Sequence, residues 1–363
     1  MNGMMEQQAS HQASDLVFSE LASAKAQQAD NFLASLETAS PYLHSGWRKA
    51  VQQAYGHQAG CLVARDGSQS EAAVLGVLPY VHFKRPFAAT RLISQPFCDF
   101  SGPAAITPAI AAALVQQLHR NQPLALEIRY GQAETAALDS QKVRMVTALP
   151  DSSEALLASY KPKLRSQIKK ASKNGLTAEV RTDQQAVQLF YQVYSINMKR
   201  LGSPPHSLAW FEAILQHYPQ GQAVIGLVWF EQQVVGAGLV LLQGQQGVIP
   251  WASTLADYNH LAPNMLLYWT LQAHLADHGV RFFDMGRSTP NEGTYRFKKQ
   301  WGAEPVALDW QLLQPNQGQV SHLLSADEAG PSRLRALAEK SWQRLPLTLA
   351  NSLGARIRRY IAL

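Results

Sequence analysis

Helix-like and strand-like segments alternate along the whole of this 363-residue chain, and that alternation confines it to the α/β class. Early short amphipathic helices over Asp30–Glu37 and Ser45–Ala54 precede strand-like runs at Gly60–Arg65, Ala73–Phe83 and Arg91–Gln95. A helix over Pro108–Arg120 and strands over Leu124–Tyr130 and Lys142–Leu149 follow. Pro150-Asp151-Ser152-Ser153 then punctuates the chain, and the first domain boundary is expected there. In the second half a long basic helix is predicted from Ser153 to Asn174, closed by Gly175. Helices over Asp183–Arg200 and Ser207–Tyr218 come next, then strands over Ala223–Glu231, Gln233–Leu242 and Gly247–Ser253 spaced as an antiparallel meander. Pro263 opens a helix that ends at Asp277-His278-Gly279, and Val280–Met285 reads as a buried strand. The expected division is a lead-in and first helix (1–29), two α/β domains (30–150 and 151–314), and a linker with a basic amphipathic tail (315–363).

Composition narrows the function. Hydrophobic residues are 46% and charged residues 16%, as in a folded globular protein. No run approaches the ~18–20 apolar residues of a membrane helix. Met1–Ser14 has neither a basic start nor an apolar run, so it reads as a disordered lead-in and not a secretion signal. Cys61 and Cys98 are too few for a disulfide framework or a closed zinc site, and the cytoplasm is the expected compartment. The net charge of +6 resides in the tail, where Arg333, Arg335, Lys340, Arg344, Arg356, Arg358 and Arg359 face one acid, Glu339. The rest of the chain is formally neutral, which argues against DNA as a partner.

The stretch with most chemistry is Phe282-Phe283-Asp284-Met285-Gly286-Arg287-Ser288, followed by Gly293-Thr294-Tyr295-Arg296-Phe297-Lys298-Lys299-Gln300-Trp301-Gly302. A buried strand ending in an acid, a glycine and a base places ionisable groups where open α/β sheets hold ligands. Tyr295, Lys298 and Lys299 then fall within one helical turn. The competing reading is an Asp284–Arg287 ion pair that pins a loop, with Lys298 and Lys299 solvated.

This stretch resembles the FemAB-like proteins, in particular those associated with exosortase/PEP-CTERM and exopolysaccharide loci, through an F-D-x-G-R-S strand and a G-x-Y-x-F-K-x-x-W-G segment. The resemblance extends to the basic Lys163–Ala171 helix and to Trp251–Tyr268 with Tyr258, Pro263 and Asn264. It also takes in Leu78-Pro79-Tyr80, the Ile93–Pro103 segment containing Asp99, and Trp342–Gly354, so that it covers about residues 30–360. It implies tandem GNAT-like domains with mixed, largely antiparallel sheets flanked by helices, the transfer cleft lying in or beside the second. In the better-known Fem enzymes an aminoacyl-tRNA donates an amino acid to a peptidoglycan precursor. By matched position Lys298 is the lysine expected to meet an acidic acceptor or the transition state; Asp284, Arg287 and Tyr295 also occupy matched positions.

Acyl transfer to an amine needs a base, an oxyanion holder and a proton for the leaving group. Asp284 or Asp99 can take the proton, Lys298 or Arg287 can hold the oxyanion, and Tyr295 or Tyr258 can protonate the leaving group. Ser288, Lys299 and Asn264 complete the expected substrate-binding set. Gln233-Val234-Val235-Gly236-Ala237-Gly238 matches the Q-x-x-G-x-G string that holds coenzyme A pyrophosphate, but it lies in a strand hairpin with no helix after it. The expected location, Ser253–Pro263, has no Gly-x-Gly. The expectation is therefore no tightly bound cofactor, with acyl-CoA, acyl-carrier protein or aminoacyl-tRNA as donor.

Lys161, Arg165, Lys169 and Lys173 form one basic stripe, suited to a tRNA backbone, a carrier or a lipid-linked pyrophosphate, or simply to solvent. The tail 331–363 interleaves bases with Leu337, Trp342, Leu345, Leu349 and Ile357, which suits peripheral contact with the inner face of a membrane or packing on the body. His274 and His278 have zinc-compatible spacing but no third ligand nearby, so no metal is expected. The reading is an acyl- or aminoacyltransferase acting on an amine of a cell-envelope or exopolysaccharide precursor. The alternatives are a small-molecule acyl-CoA-dependent N-acyltransferase and a non-catalytic assembly factor.

Overall fold

The computed structural model describes residues 16–67, 73–133, 142–315, 320–323 and 333–363. The described residues begin with β1 (Leu16–Glu20), α1 (Ala26–Ala34), α2 (Ser45–Tyr55), β2 (Gln58–Asp66), β3 (Val74–Arg85), β4 (Ala88–Ile93) and β5 (Ala104–Ala105). Next come α3 (Pro108–Asn121), β6 (Leu126–Tyr130), β7 (Val143–Ala148), α4 (Ser153–Ser159), α5 (Pro162–Lys173), β8 (Leu176–Arg181), α6 (Gln184–Arg200) and α7 (Leu208–His217). The meander β9 (Ala223–Phe230), β10 (Gln233–Gln243), β11 (Gln246–Thr254) leads to α8 (Pro263–Asp277), β12 (Phe282–Ser288) and α9 (Gly293–Lys299). Then follow β13 (Glu304–Ala307), β14 (Asp309–Leu313), β15 (Val320–His322), α10 (Arg333–Arg344) and α11 (Leu347–Arg358).

These strands form two mixed, largely antiparallel sheets flanked by helices. One has the order β1-β2-β3-β4-β6-β14-β15, with β5 against β3; the other runs β13-β7-β12-β11-β10-β9-β8. The parallel pairs are β4–β6, bridged by α3, and β11–β12, bridged by α8. The chain passes between sheets twice. β7, which follows the first sheet's β6, enters the second sheet between β12 and β13, and β14 returns to pair with β6. Each sheet thus depends on strands contributed from the other's part of the chain.

Period-two alternation sorts the first sheet's residues onto two faces. Leu62, Ala64, Leu78 and Tyr80 pack under α3, whereas Cys61, Val63 and Val77 pack against α1. On the second sheet, Phe283 and Met285 face α4, α5 and α8, while Leu239, Leu241 and Val248 face α6, α7 and α2. The latter core carries Trp47, Trp210 and Trp251, and it also takes in Phe83, Ile93 and Phe97 from the first sheet. A single apolar layer therefore fills the junction between the sheets.

Several expectations change in the fold. The helix predicted over Ser153–Asn174 is two helices, because Pro162 lacks an N–H and starts a new one after Tyr160 and Lys161 turn extended. The helix placed at Asp30–Glu37 is α1, four residues earlier. Asp30 does not start it but accepts from the Ser45 amide (2.8 Å) and hydroxyl (2.6 Å), holding the next helix's first turn. Of the lead-in over 1–29, residues 1–15 lie outside the described set, and Leu16–Glu20 forms β1 in register with Leu62–Asp66. The linker expected over 315–330 contains β15, paired with β14; residues 316–319 and 324–330 lie outside the described set.

The basic tail packs on the body. Gly354 sits against Pro205, Lys199 Nζ donates to the Gln343 carbonyl (2.8 Å), and the Arg359 guanidinium donates to the Tyr55 carbonyl. Arg358 Nε donates to His206 Nε2 (3.1 Å), so His206 is neutral and its Nδ1–H faces the Tyr55 hydroxyl at 2.5 Å. Burial and Arg358 both hold the His206 imidazole well below its ordinary range. Among the described residues no helix is long and apolar enough to cross a membrane.

A Cβ at Gly354 would lie 2.3 Å from Pro205 Cδ and 3.0 Å from its backbone nitrogen, so α11 must shift to accept one. Gly354→Ala is expected to cost about 1–3 kcal/mol of stability and to speed proteolytic release of the tail. Urea denaturation alongside limited proteolysis measures both; unchanged values would show that α11 does not depend on this contact.

Candidate functional site

The site is built by a defect in β12. Between its pairings Asp284↔Val146 and Arg287↔Arg144, β12 advances three residues while β7 advances two. The extra residue makes a bulge at Met285-Gly286, with Gly286 in the left-handed region at φ +78°. Asp284 and Arg287, an odd number of positions apart, consequently project from the same face of the sheet. That face looks into the junction between the two sheets.

At the same point β12 leaves β11. The two strands pair from Gln246↔Phe282 to Val248↔Asp284 and then part. Lys298, on α9, fills the opening: its Nζ donates to the Gly286 and Arg287 carbonyls, 2.9 Å each. From the first sheet, the loop after β4 brings Asp99, whose Oδ2 accepts from the Arg287 amide at 3.0 Å while Oδ1 stands 3.7 Å from Arg287 Nε. Asp284 Oδ1 accepts from the Gly286 amide (2.7 Å), and its Oδ2 pairs with Arg144 Nη1 (3.2 Å). Arg144 lies over the Phe100 ring and donates Nε to the Gly131 carbonyl.

Beneath this group Trp310 donates to the Asp99 carbonyl (2.8 Å) and lies under two guanidiniums, those of Arg129 and Arg287. Arg129 is fully buried; it pairs with Glu127 and donates to the Cys98 carbonyl at 2.7 Å. Glu127 also pairs with Arg91. These charges are withdrawn from water but each has partners, which is the condition for keeping them inside a protein.

The sequence-expected residues distribute unevenly over this geometry. Asp284, Arg287, Lys298 and Asp99 come together. Ser288 is one position further along β12, its hydroxyl buried without a hydrogen-bond partner among the described residues. Tyr295 lies a turn before Lys298 and packs against the apolar cluster shared by α8 and α9. Tyr258 is at the far end of β11, bonded to Gln233 Oε1 (2.7 Å), beside an open cavity of about 860 Å³ also lined by Asn197, Arg200 and Arg344. Asn264 is half-buried in the first turn of α8. Lys299 is exposed and pairs with Glu304, and Arg165 and Lys169 stand exposed on α5.

The expected Asp284–Arg287 pair does not form. The bulge turns each toward another partner, Arg144 for Asp284 and Asp99 for Arg287. Nor is Lys298 solvated, being 8% exposed. Arg144, Arg129, Glu127 and Trp310 were not legible as members of the site. Arg144 and Trp310 reach it only through the strand exchange between sheets, and the Glu127/Arg129 spacing on β6 looks like any one-sided strand. The Q-x-x-G-x-G string does lie inside a strand, β10, as expected.

Burial sets the electrostatics. It lowers the Lys298 amine to about 8, against the upward pull of Asp99 and Asp284 and with Arg287 adding to the fall. Burial likewise raises the Asp284 carboxyl, which Arg144 and the Gly286 amide counteract. A lysine whose folded pKa is below its unfolded value releases its proton earlier when folded. Between about pH 8 and the ordinary 10.5 the unfolded chain binds more protons, so stability attributable to Lys298 rises with pH. Wild type is expected to gain about 3 kcal/mol relative to Lys298→Met across that window. Urea denaturation at pH 7.5 and pH 10 measures this; a constant difference would mean that the amine titrates normally.

Comparisons with known proteins agree with this architecture. Residues 158–299, from α4 to α9, match the family model of an acetyltransferase (GNAT) domain. FemX, a solved structure, superposes with a TM-score of 0.62 at 15% identity, covering 80% of this chain and 95% of that one. A conserved protein of unknown function from Bacteroides thetaiotaomicron superposes at 0.53 with 8% identity, covering 82% and 99%. No curated protein sequence matches. The chain is a mixed α/β protein with two sheets, shares its fold with FemX, and over residues 158–299 is similar to GNAT acetyltransferase domains.

Proposed function

We propose that this protein transfers an acyl or aminoacyl group to a primary amine, with the reacting atoms held against the β12–α9 cluster. The observation that carries the reading is Lys298: a buried amine, shifted to about 8, fixed by two carbonyls at the divergence of β11 and β12 within the GNAT segment. Strongly perturbed ionisable groups held in defined geometry are what acid–base and oxyanion chemistry require. The cluster reaches solvent through the Arg144 and Arg287 side chains, 21% and 29% exposed, which would meet the anionic part of a substrate.

In this reading the acceptor amine loses its proton to Asp284, whose raised carboxyl is nearer the working pH than an ordinary aspartate. The nitrogen attacks the donor carbonyl, and protonated Lys298 with Arg287 stabilises the charge that develops on its oxygen. Collapse of the tetrahedral intermediate breaks the bond to the donor, and Tyr295, one turn from Lys298, or Lys298 itself supplies the leaving group's proton. Asp99 holds the Arg287 backbone and so positions the base-bearing bulge. We favour an acyl-carrier or aminoacyl-tRNA donor over acyl-CoA, because the β11–α8 connection has no Gly-x-Gly and enters α8 through Ala262. The resemblance to FemAB-like proteins supports a cell-envelope or exopolysaccharide amine as acceptor.

A second reading has a specific observation behind it. Asp99 and Arg144 reach across the junction, to the Arg287 amide and the Gly131 carbonyl, while Asp284 and Lys298 brace β12 within its own sheet, as they would in a purely structural weld of a non-catalytic assembly factor. Transfer assays with acyl-CoA, acyl-carrier and aminoacyl-tRNA donors separate the two. Catalysis predicts a rate that rises as Asp284 ionises and falls above about pH 8 as Lys298 loses its charge. Lys298→Arg should move the alkaline limb upward, and Lys298→Ala should cost roughly 10²- to 10³-fold. Should Lys298→Ala and Asp284→Asn both leave the rate unchanged, the cluster is a weld.

A further inference from the structure

A patch remote from the cluster's chemistry combines a strained exposed aromatic with exposed cations. β3 and β4 are joined by a two-residue turn, Arg85 pairing with Ala88 across Pro86-Phe87. Phe87 has φ +58°, the left-handed conformation that a turn with proline at its first central position ordinarily reserves for glycine at the second. Its side chain is fully exposed, at 109% of the reference area. A large apolar residue is thus held in an unfavourable backbone conformation while burying nothing within the chain, and local folding gives no reason for it.

The end of the tail lies beside this hairpin. His57 stacks on Phe83 of β3 and bonds through Nε2 to the Arg359 carbonyl at 2.8 Å. Burial lowers the His57 imidazole, the bond to the Arg359 carbonyl opposes that, and the Arg359 and Lys84 charges add to the fall, so the hairpin and the tail's last turn meet around one ring. The Ala362 carbonyl accepts from the Phe97 amide, and Phe97 in turn packs on Phe83. Along the end of the tail Ile357, Tyr360 and Ile361 are 40%, 37% and 36% exposed. Lys84 and Arg85 are exposed on the hairpin and Arg356 on α11, and none has a carboxylate partner among the described residues.

We infer that this hairpin docks on an anionic lipid bilayer, with Phe87 inserted among the headgroups and Lys84 and Arg85 on lipid phosphates. Charge complementarity selects the occupant: a protruding aromatic beside cations that have no carboxylate partner among the described residues matches an apolar interface bearing negative charge. A nucleic-acid backbone would satisfy the cations but leave Phe87 in water. The docking stands apart from the transfer reaction and survives its failure.

Sedimentation of the full chain with phosphatidylcholine vesicles, with and without 30% phosphatidylglycerol, tests the inference. Binding is expected only to the anionic vesicles and should weaken between 0.1 and 0.5 M salt. Phe87→Gly relieves the backbone strain, so it should leave the melting temperature unchanged or raised while lowering vesicle partition about ten-fold or more. Lys84→Ser or Arg85→Ser should each lower it about five-fold. Wild-type protein that ignores anionic vesicles, Phe87→Gly protein that binds as well as wild type, or capture by a single-stranded RNA in place of vesicles would each overturn it.

Discussion

The bulge at Gly286 is the constraint on which the arrangement of this molecule turns. One extra residue in β12 puts Asp284 and Arg287 on the same face and presents the Arg287 amide to Asp99 of the other sheet. It does so where β11 departs, so two β12 carbonyls need a donor, and Lys298 provides it. A lysine drawn into that position is desolvated, and its lowered pKa follows from the strand geometry. The same interactions that join the two sheets therefore also tune the groups that can perform acid–base chemistry.

The sheet exchange makes this economical. Because β7 and β14 cross between sheets, Arg144 and Trp310 reach the junction on rigid strands. Arg129 and Arg287 share the Trp310 ring, while Arg144 rests on Phe100. Aromatic faces thus keep three guanidiniums apart at close quarters, each cation meeting a ring's negative face instead of its neighbour's charge. The tail contributes from outside, since Arg129 also donates to the Ala362 carbonyl at 3.2 Å. Displacing the last residues of the chain would loosen the loop that carries Asp99.

Much of the local structure was readable from residue patterns because its causes are local. Pro263 opens α8, Gly175 sits at φ +87° after α5, and the meander β9–β11 follows its apolar runs. The misreadings were equally physical. The pattern starts the first helix at Asp30, but Asp30 lies inside α1 and its carboxylate serves a helix fifteen residues on. Pro162 was absorbed into one long helix although the missing N–H demands a break.

By itself the sequence determined the class of fold, most of the elements between β2 and α9, and the concentration of ionisable residues around β12 and α9, since these follow from periodicity, capping and residue type. Only the tertiary structure decided the partners. Asp284 meets Arg144 across 140 positions, Arg287 meets Asp99 across 188, and the bulge that aims them is a register shift between strands distant in sequence. Register and strand exchange are properties of pairing, so they are absent from any local pattern. The same holds for Lys298: its residue type is written in the chain, but its lowered pKa comes from the sheets that close around it.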